Sequence, residues 1–148
     1  MIRVLTVDDD HSMLDITKIF LEKSGDMEVE CLGSAKEALK KLKEDGHYDV
    51  IVSDYAMPKM NGISFLKKVR VFNPDIPFII LTGKSREEVV IDALNNGANY
   101  YLQKDANPKM LYAELAHHIR EATDKEKLRR AVLESEKKYR TLFENMNE

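Results

Sequence analysis

Five side chains in this sequence have the types and spacing to handle a phosphoryl group: Asp8, Asp9, Asp54, Thr82 and Lys104. Each sits at or just past the end of a run that reads as a strand. Val4-Leu5-Thr6-Val7 leads into Asp8-Asp9-Asp10, and Val50-Ile51-Val52-Ser53 leads into Asp54. Phe78-Ile79-Ile80-Leu81 ends in Thr82, and Asn99-Tyr100-Tyr101-Leu102-Gln103 delivers Lys104. Carboxylates gathered at one point repel one another unless a hard cation lies between them. Mg²⁺ held by carboxylates and a substrate phosphate fits that requirement. A metal, a carboxylate, a hydroxyl and an ammonium together suit phosphoryl transfer, where the protein mainly positions groups and neutralises charge on the phosphoryl oxygens. A carboxylate can itself be the acceptor, and Asp54, alone at its strand end, is the candidate.

The elements that must hold these groups alternate strand and helix, as a βα repeat does. The first three runs, at Val4, Val50 and Phe78, are largely apolar and β-branched, the mark of strands buried on both faces of a parallel sheet. In open α/β sheets ligands bind at the carboxyl ends of the strands, which is where every candidate lies. The expected strands are about Ile2–Val7, Glu28–Leu32, Val50–Ser53, one from Phe78 and one from Asn99 to Lys104. Helix one is expected over about Ser12–Ser24, with Gly25 as its stop. Ser34 can cap helix two, and Gly62 lets the chain turn into helix three. Ser85 with Glu88 forms a capping box for helix four. Pro108 opens helix five.

Taken in order, these motifs resemble the receiver domain of two-component response regulators. The matching residues are Asp8-Asp9, then Asp54 followed by Met57-Pro58-Lys59-Met60-Asn61-Gly62, then Thr82, then Lys104, and the resemblance covers about residues 1–120. It implies a flavodoxin-like (βα)5 three-layer sandwich, CheY-like, with a five-stranded parallel sheet of order 2-1-3-4-5 and an extended C-terminal helix. It also implies roles. Asp9 and Asp54 bind Mg²⁺ directly with the backbone carbonyl of Ala56, and Asp8 acts through water. Asp54 accepts phosphate from a histidine kinase or phosphotransfer protein, and Thr82 and Lys104 bond the phosphoryl oxygens. Tyr101 takes the place of the aromatic that moves inward when Thr82 is drawn to the phosphate.

Four positions bear on how closely the chain follows the family pattern. Asp105 follows Lys104 where proline after a cis bond is usual, and a non-proline cis bond costs about 3 kcal/mol, so a trans peptide and an altered loop are expected. Asn61 replaces the common acidic residue before Gly62, which changes the local turn. Ala56 puts no bulky side chain on the water approach to the phosphoryl group, while Lys84 adds a positive charge two residues past Thr82.

The stretch from Glu121 to Glu148 differs in kind, with seven acidic and seven basic residues and no Gly or Pro. Glu126–Arg130, Glu134–Lys138 and Glu136–Arg140 are favourable i,i+4 pairs. Leu128, Val132, Ser135, Tyr139, Leu142 and Met146 recur at spacings of four and three, a coiled-coil seam that Ser135 weakens. We expect domain one at 1–120 and a helical linker at 121–148, with homodimerisation through the linker open. Leu133 to Met146 also resembles the opening segment of a PAS sensor domain. The expectation is a piece of a longer protein, with a PAS module and a kinase or other output domain downstream.

Composition sets limits. Charged residues make up 33% of the chain and no apolar run approaches a membrane span, so a cytoplasmic protein is expected. No signal peptide is expected, because the first strand is read from Ile2. A single cysteine, Cys31, excludes an internal disulfide and fits a reducing compartment. A net charge of −3 and the lack of a DNA-reading motif argue against nucleic acid as a direct partner. His117-His118 have no catalytic pattern around them and read as ordinary helix positions. Two rivals stay open. One is a phosphohydrolase of the haloacid dehalogenase type, with Asp8 as nucleophile and Asp10 as acid. The other is a degenerate receiver that binds partners without phosphate.

Overall fold

The protein was described from a computed structural model covering residues 1–44, 46–83, 87–104 and 107–146. Strands and helices alternate along the chain: β1 (Ile2–Val7), α1 (His11–Glu22), β2 (Met27–Leu32), α2 (Ala35–Glu44), β3 (Val50–Ser53), α3 (Gly62–Phe72), β4 (Phe78–Thr82), α4 (Glu87–Asn95), β5 (Tyr100–Gln103) and α5 (Pro108–Met146). The five strands form one parallel sheet of order β2-β1-β3-β4-β5.

Strand alternation divides the core in two. Leu5, Val7, Ile51, Phe78 and Ile80 face a cluster with Ala38 of α2, Phe65, Leu66 and Val69 of α3, and Ala93 of α4. Val4, Val50, Val52, Ile79 and Leu81 face the other way, onto Leu21 of α1 and Leu111, Leu115 and Ile119 of α5. With both faces covered, the central strands have no polar side, which is why they read as continuous apolar runs. The register sets Val7 beside Ser53 and Thr82 beside Gln103, so the carboxyl ends of four strands share one edge of the sheet.

Local chemistry fixes the element ends. α1 begins one residue before the expected Ser12 because Asp10 is its cap, its carboxylate accepting from the backbone N–H groups of Ser12 and Met13. The helix stops at Glu22, short of the expected Ser24, and Gly25 follows at φ +82°. Asn61 caps α3, accepting from the Ser64 N–H at 2.8 Å. Asn107 accepts from the Lys109 N–H at 2.9 Å ahead of Pro108, the first residue of α5. The expected Ser85 capping box, Lys84 and the Lys104–Asp105 peptide lie outside the described residues.

Two further features shape the molecule. β2 is an edge strand, and its outward backbone groups at Val29 are occupied by side chains one turn apart on α1. Lys18 Nζ donates to the Val29 carbonyl at 3.1 Å, and the Val29 N–H donates to Glu22 at 2.9 Å. At the other end of the chain, α5 runs unbroken for 39 residues, about 58 Å at the usual rise. Its first half is docked. Tyr112 stacks on Phe20 and shares a hydrogen bond with the Thr17 hydroxyl at 3.0 Å, and Arg120 bonds both Asp26 oxygens. Ala122 and Thr123 are still buried, and Arg129 reaches Asp75 in the loop before β4 at 3.2 Å. The expected Glu126–Arg130 pair is closed at 3.1 Å. From Ala131 to Met146 every residue is exposed. Among the described residues no helix is long and apolar enough to cross a membrane.

Candidate functional site: an acidic pocket at the carboxyl edge of the sheet

Asp8 is the residue after β1, and its backbone N–H donates to the Leu32 carbonyl of β2 at 3.2 Å. Asp54 follows β3, and its N–H donates to the Val7 carbonyl of β1 at 2.9 Å. Those ladder bonds carry the sheet one residue past the strands and aim both carboxylates into the same space. Asp9 joins them. Each of Asp8, Asp9 and Asp54 offers a carboxylate oxygen, and the three lie within 4.8 Å of one another. Asp10 is not part of this group, because its carboxylate is spent on capping α1. That removes the acid which the phosphohydrolase alternative requires.

Lys104 closes the pocket. Its backbone N–H donates to the Thr82 carbonyl at 2.8 Å, which ties the end of β5 to the end of β4. Its Nζ lies 2.8 Å from Asp8 Oδ2 and 3.4 Å from Asp54 Oδ1. Burial works against the charge on Lys104, but the hydrogen bond to Asp8 and the fields of Asp54 and Asp8 outweigh it and hold the ammonium above its ordinary pKa. Burial also pushes the Asp54 carboxyl up. Lys104 pulls it back, Asp8 pushes it further, and the balance stays above the ordinary value. One Asp54 oxygen accepts the Tyr55 N–H at 2.9 Å, which fixes the orientation of the carboxylate.

Thr82, at 1% exposure, ends β4 on the same edge, and Ala56 lies on the exposed loop after Asp54. Tyr101 is half-buried on β5 against the core; burial, then the fields of Tyr55 and Asp54, raise its hydroxyl pKa. His117 and His118 lie away from this edge on α5, paired with Glu121 and Glu114, and His118 stacks on Tyr100 at 4.1 Å.

One residue was read from sequence for a different reason than the one it serves. A Cβ on Gly62 would stand 2.4 Å from the Asp54 carbonyl oxygen and 3.0 Å from Tyr55 Cα. Glycine is therefore needed for close approach rather than for the turn. The Gly62 N–H donates to the Tyr55 carbonyl at 2.8 Å and pins the start of α3 against the Asp54 loop. The Asn61-Gly62 pair was the only sequence signal.

The donor set suits a hard divalent cation. Among the described residues, three carboxylates converge with the Lys104 ammonium as counter-charge, and no sulfur or imidazole ligand joins them. A parallel doubly wound sheet with an acidic trio and a lysine at its carboxyl edge defines the class of α/β phosphoryl-accepting domains. The response regulator receiver domain family matches residues 4–116, and the chain belongs to it. Among curated relatives, the response regulator SaeR of Staphylococcus epidermidis is 38% identical over 111 residues, which is 75% of this chain and 47% of that protein. SaeR of Staphylococcus aureus is equally similar over the same span. The chain thus spans about half the length of the curated relatives it matches. Among solved structures, a receiver domain protein from Clostridium thermocellum superposes with a TM-score of 0.78 at 31% identity, covering 86% of this chain and 98% of that one. A CheY-like receiver from Methanospirillum hungatei gives 0.74 at 34% identity, covering 84% and 98%.

Proposed function

We propose that this chain is a phosphorylation-dependent signalling switch of a two-component system. Asp54 is its phosphoacceptor, and a histidine kinase or phosphotransfer protein is its donor. The observation that carries the reading is Lys104 bridging Asp8 and Asp54 where Asp9 completes the acidic trio. An Asp54 oxygen attacks phosphorus in line, the P–N bond of a phosphohistidine breaks, and an acyl phosphate forms with the imidazole as leaving group. Asp9, Asp54 and the Ala56 carbonyl would hold Mg²⁺, with Asp8 beside them, and the ion would neutralise charge on the phosphoryl oxygens. Lys104 and the Thr82 hydroxyl bond those oxygens. Tyr101 follows Thr82 inward, and the α4–β5–α5 face repacks, a local charge event that biases a two-state element.

The signal leaves along α5. The unbroken helix and the resemblance of Leu133–Met146 to a PAS opening support a downstream PAS or other output module, in a cytoplasmic protein. The phosphohydrolase alternative lacks its acid, since Asp10 caps α1.

Intact-mass spectrometry after incubation with Mg²⁺ and acetyl phosphate tests the reading. One phosphoryl adduct is expected on the parent, none on Asp54→Asn, and none on the parent in EDTA. Labelling of Asp54→Asn at the parent level would overturn it.

A further inference from the structure

The outer half of α5 presents an apolar stripe that is exposed along its length among the described residues. Leu128, Val132, Tyr139, Leu142 and Met146 are each between 49% and 82% exposed, whereas Leu115, Ile119 and Ala122 of the same helix are buried. A helix with one apolar stripe and no tertiary partner is marginal in water. We propose that residues 128–146 pair with the same segment of a second copy of this chain, as a parallel, in-register, two-stranded coiled coil. The proposal goes beyond the phosphoryl reading and needs nothing from it.

The stripe and its flanks select this partner. With Leu128 at a d position, Val132, Tyr139 and Met146 occupy a, and Ser135 and Leu142 occupy d. β-branched Val at a with Leu at d favours two parallel strands. The adjacent polar layers, Ser135 and Tyr139, match only when the copies are in register, since a heptad slip sets Ser135 against leucine and Tyr139 against valine or methionine.

Flanking charge decides the direction. In a parallel pair each g residue faces the next e residue of the other helix. Within 128–146, Ala131 then meets the partner's Glu136 and Lys138 the partner's Phe143. The second sets a cation over a ring, and neither pair is like-charged. In the fully overlapped antiparallel pair, Glu136 of one copy faces the partner's Glu136 and Lys138 faces the partner's Lys138. Sliding by seven residues to escape this gives up one of under three heptads.

The test is sedimentation of the whole chain over a range of concentrations, beside Leu142→Glu, which would place two carboxylates in one core layer. The parent should show a concentration-dependent dimer. Leu142→Glu should stay monomeric, with unchanged labelling by acetyl phosphate showing that the receiver is still folded. Orientation is read by disulfide cross-linking in a Cys31→Ser background. Leu128→Cys and Leu142→Cys should each cross-link to their own kind. In the antiparallel pair the two Leu128→Cys sites would be about 27 Å apart. A parent that is monomeric throughout, or a dimer unaffected by Leu142→Glu, would overturn the proposal. So would cross-linking confined to mixtures of Val132→Cys with Leu142→Cys.

Discussion

Asp54 is held in tension between its chemistry and its surroundings. Burial raises its pKa above the ordinary 3.8, so the fold favours the protonated carboxyl. The stability this confers is present below the ordinary pKa and is lost as pH rises through the raised one, leaving an ionised carboxylate that costs stability at neutral pH. Metal-free Asp54→Asn should therefore be more stable than the parent at pH 7, by on the order of 1 kcal/mol. The gap should close as pH falls below about 4. Denaturant melts in EDTA at several pH values check this, and a variant less stable than the parent at pH 7 would refute it. Gly62→Ala has the opposite sign. Its Cβ would press on the Asp54 carbonyl, and that backbone cannot yield without moving the acceptor. We expect a loss of about 1–3 kcal/mol together with slower labelling by acetyl phosphate. The candidate residues were legible because acidic and basic groups directly after apolar runs are rare and their strand ends coincide. The close approach at Gly62 was not, because the atom it meets is eight residues back along the chain, across a loop.

Strands and helices were readable for a similar reason: each apolar run is short, β-branched and bounded, and each helix carries a repeating apolar face. Their ends were less so. Asp10 read as an acid only for the phosphohydrolase alternative, and the direction of the chain after β1 turns it into a cap. Arg70 gave no signal at all. It lies near the end of α3 and donates to the carbonyls of Asn73, Ile76 and Gly97, so it joins the loop before β4 to the turn before β5. Gly97 sits at φ +98°, and an added Cβ would meet Arg70 Nε at 2.9 Å. Arg70→Met keeps much of the apolar stem but leaves three carbonyls without their donor. The expected cost is about 1–3 kcal/mol, measurable as a lower urea midpoint with an unchanged slope. Labelling of Asp54 should persist, since Arg70 is remote from the acidic pocket.

At the scale of the molecule, one sheet supplies a site at its carboxyl edge and one helix carries the chain away. α5 stays docked past Thr123 and touches Asp75 through Arg129 before it becomes free. Sequence could anticipate the helix, since it is a local pattern. It could not anticipate where docking ends, which depends on the loop before β4. The seal on β2 acquires its meaning here. Two copies joined by their tails would hold their sheets at an effective concentration far above that of the free protein, where an open strand edge invites a neighbour to add on. Lys18 and Glu22 have already taken the Val29 groups such a neighbour would use. Crowded sheets would therefore meet, at β2, an edge already closed at Val29.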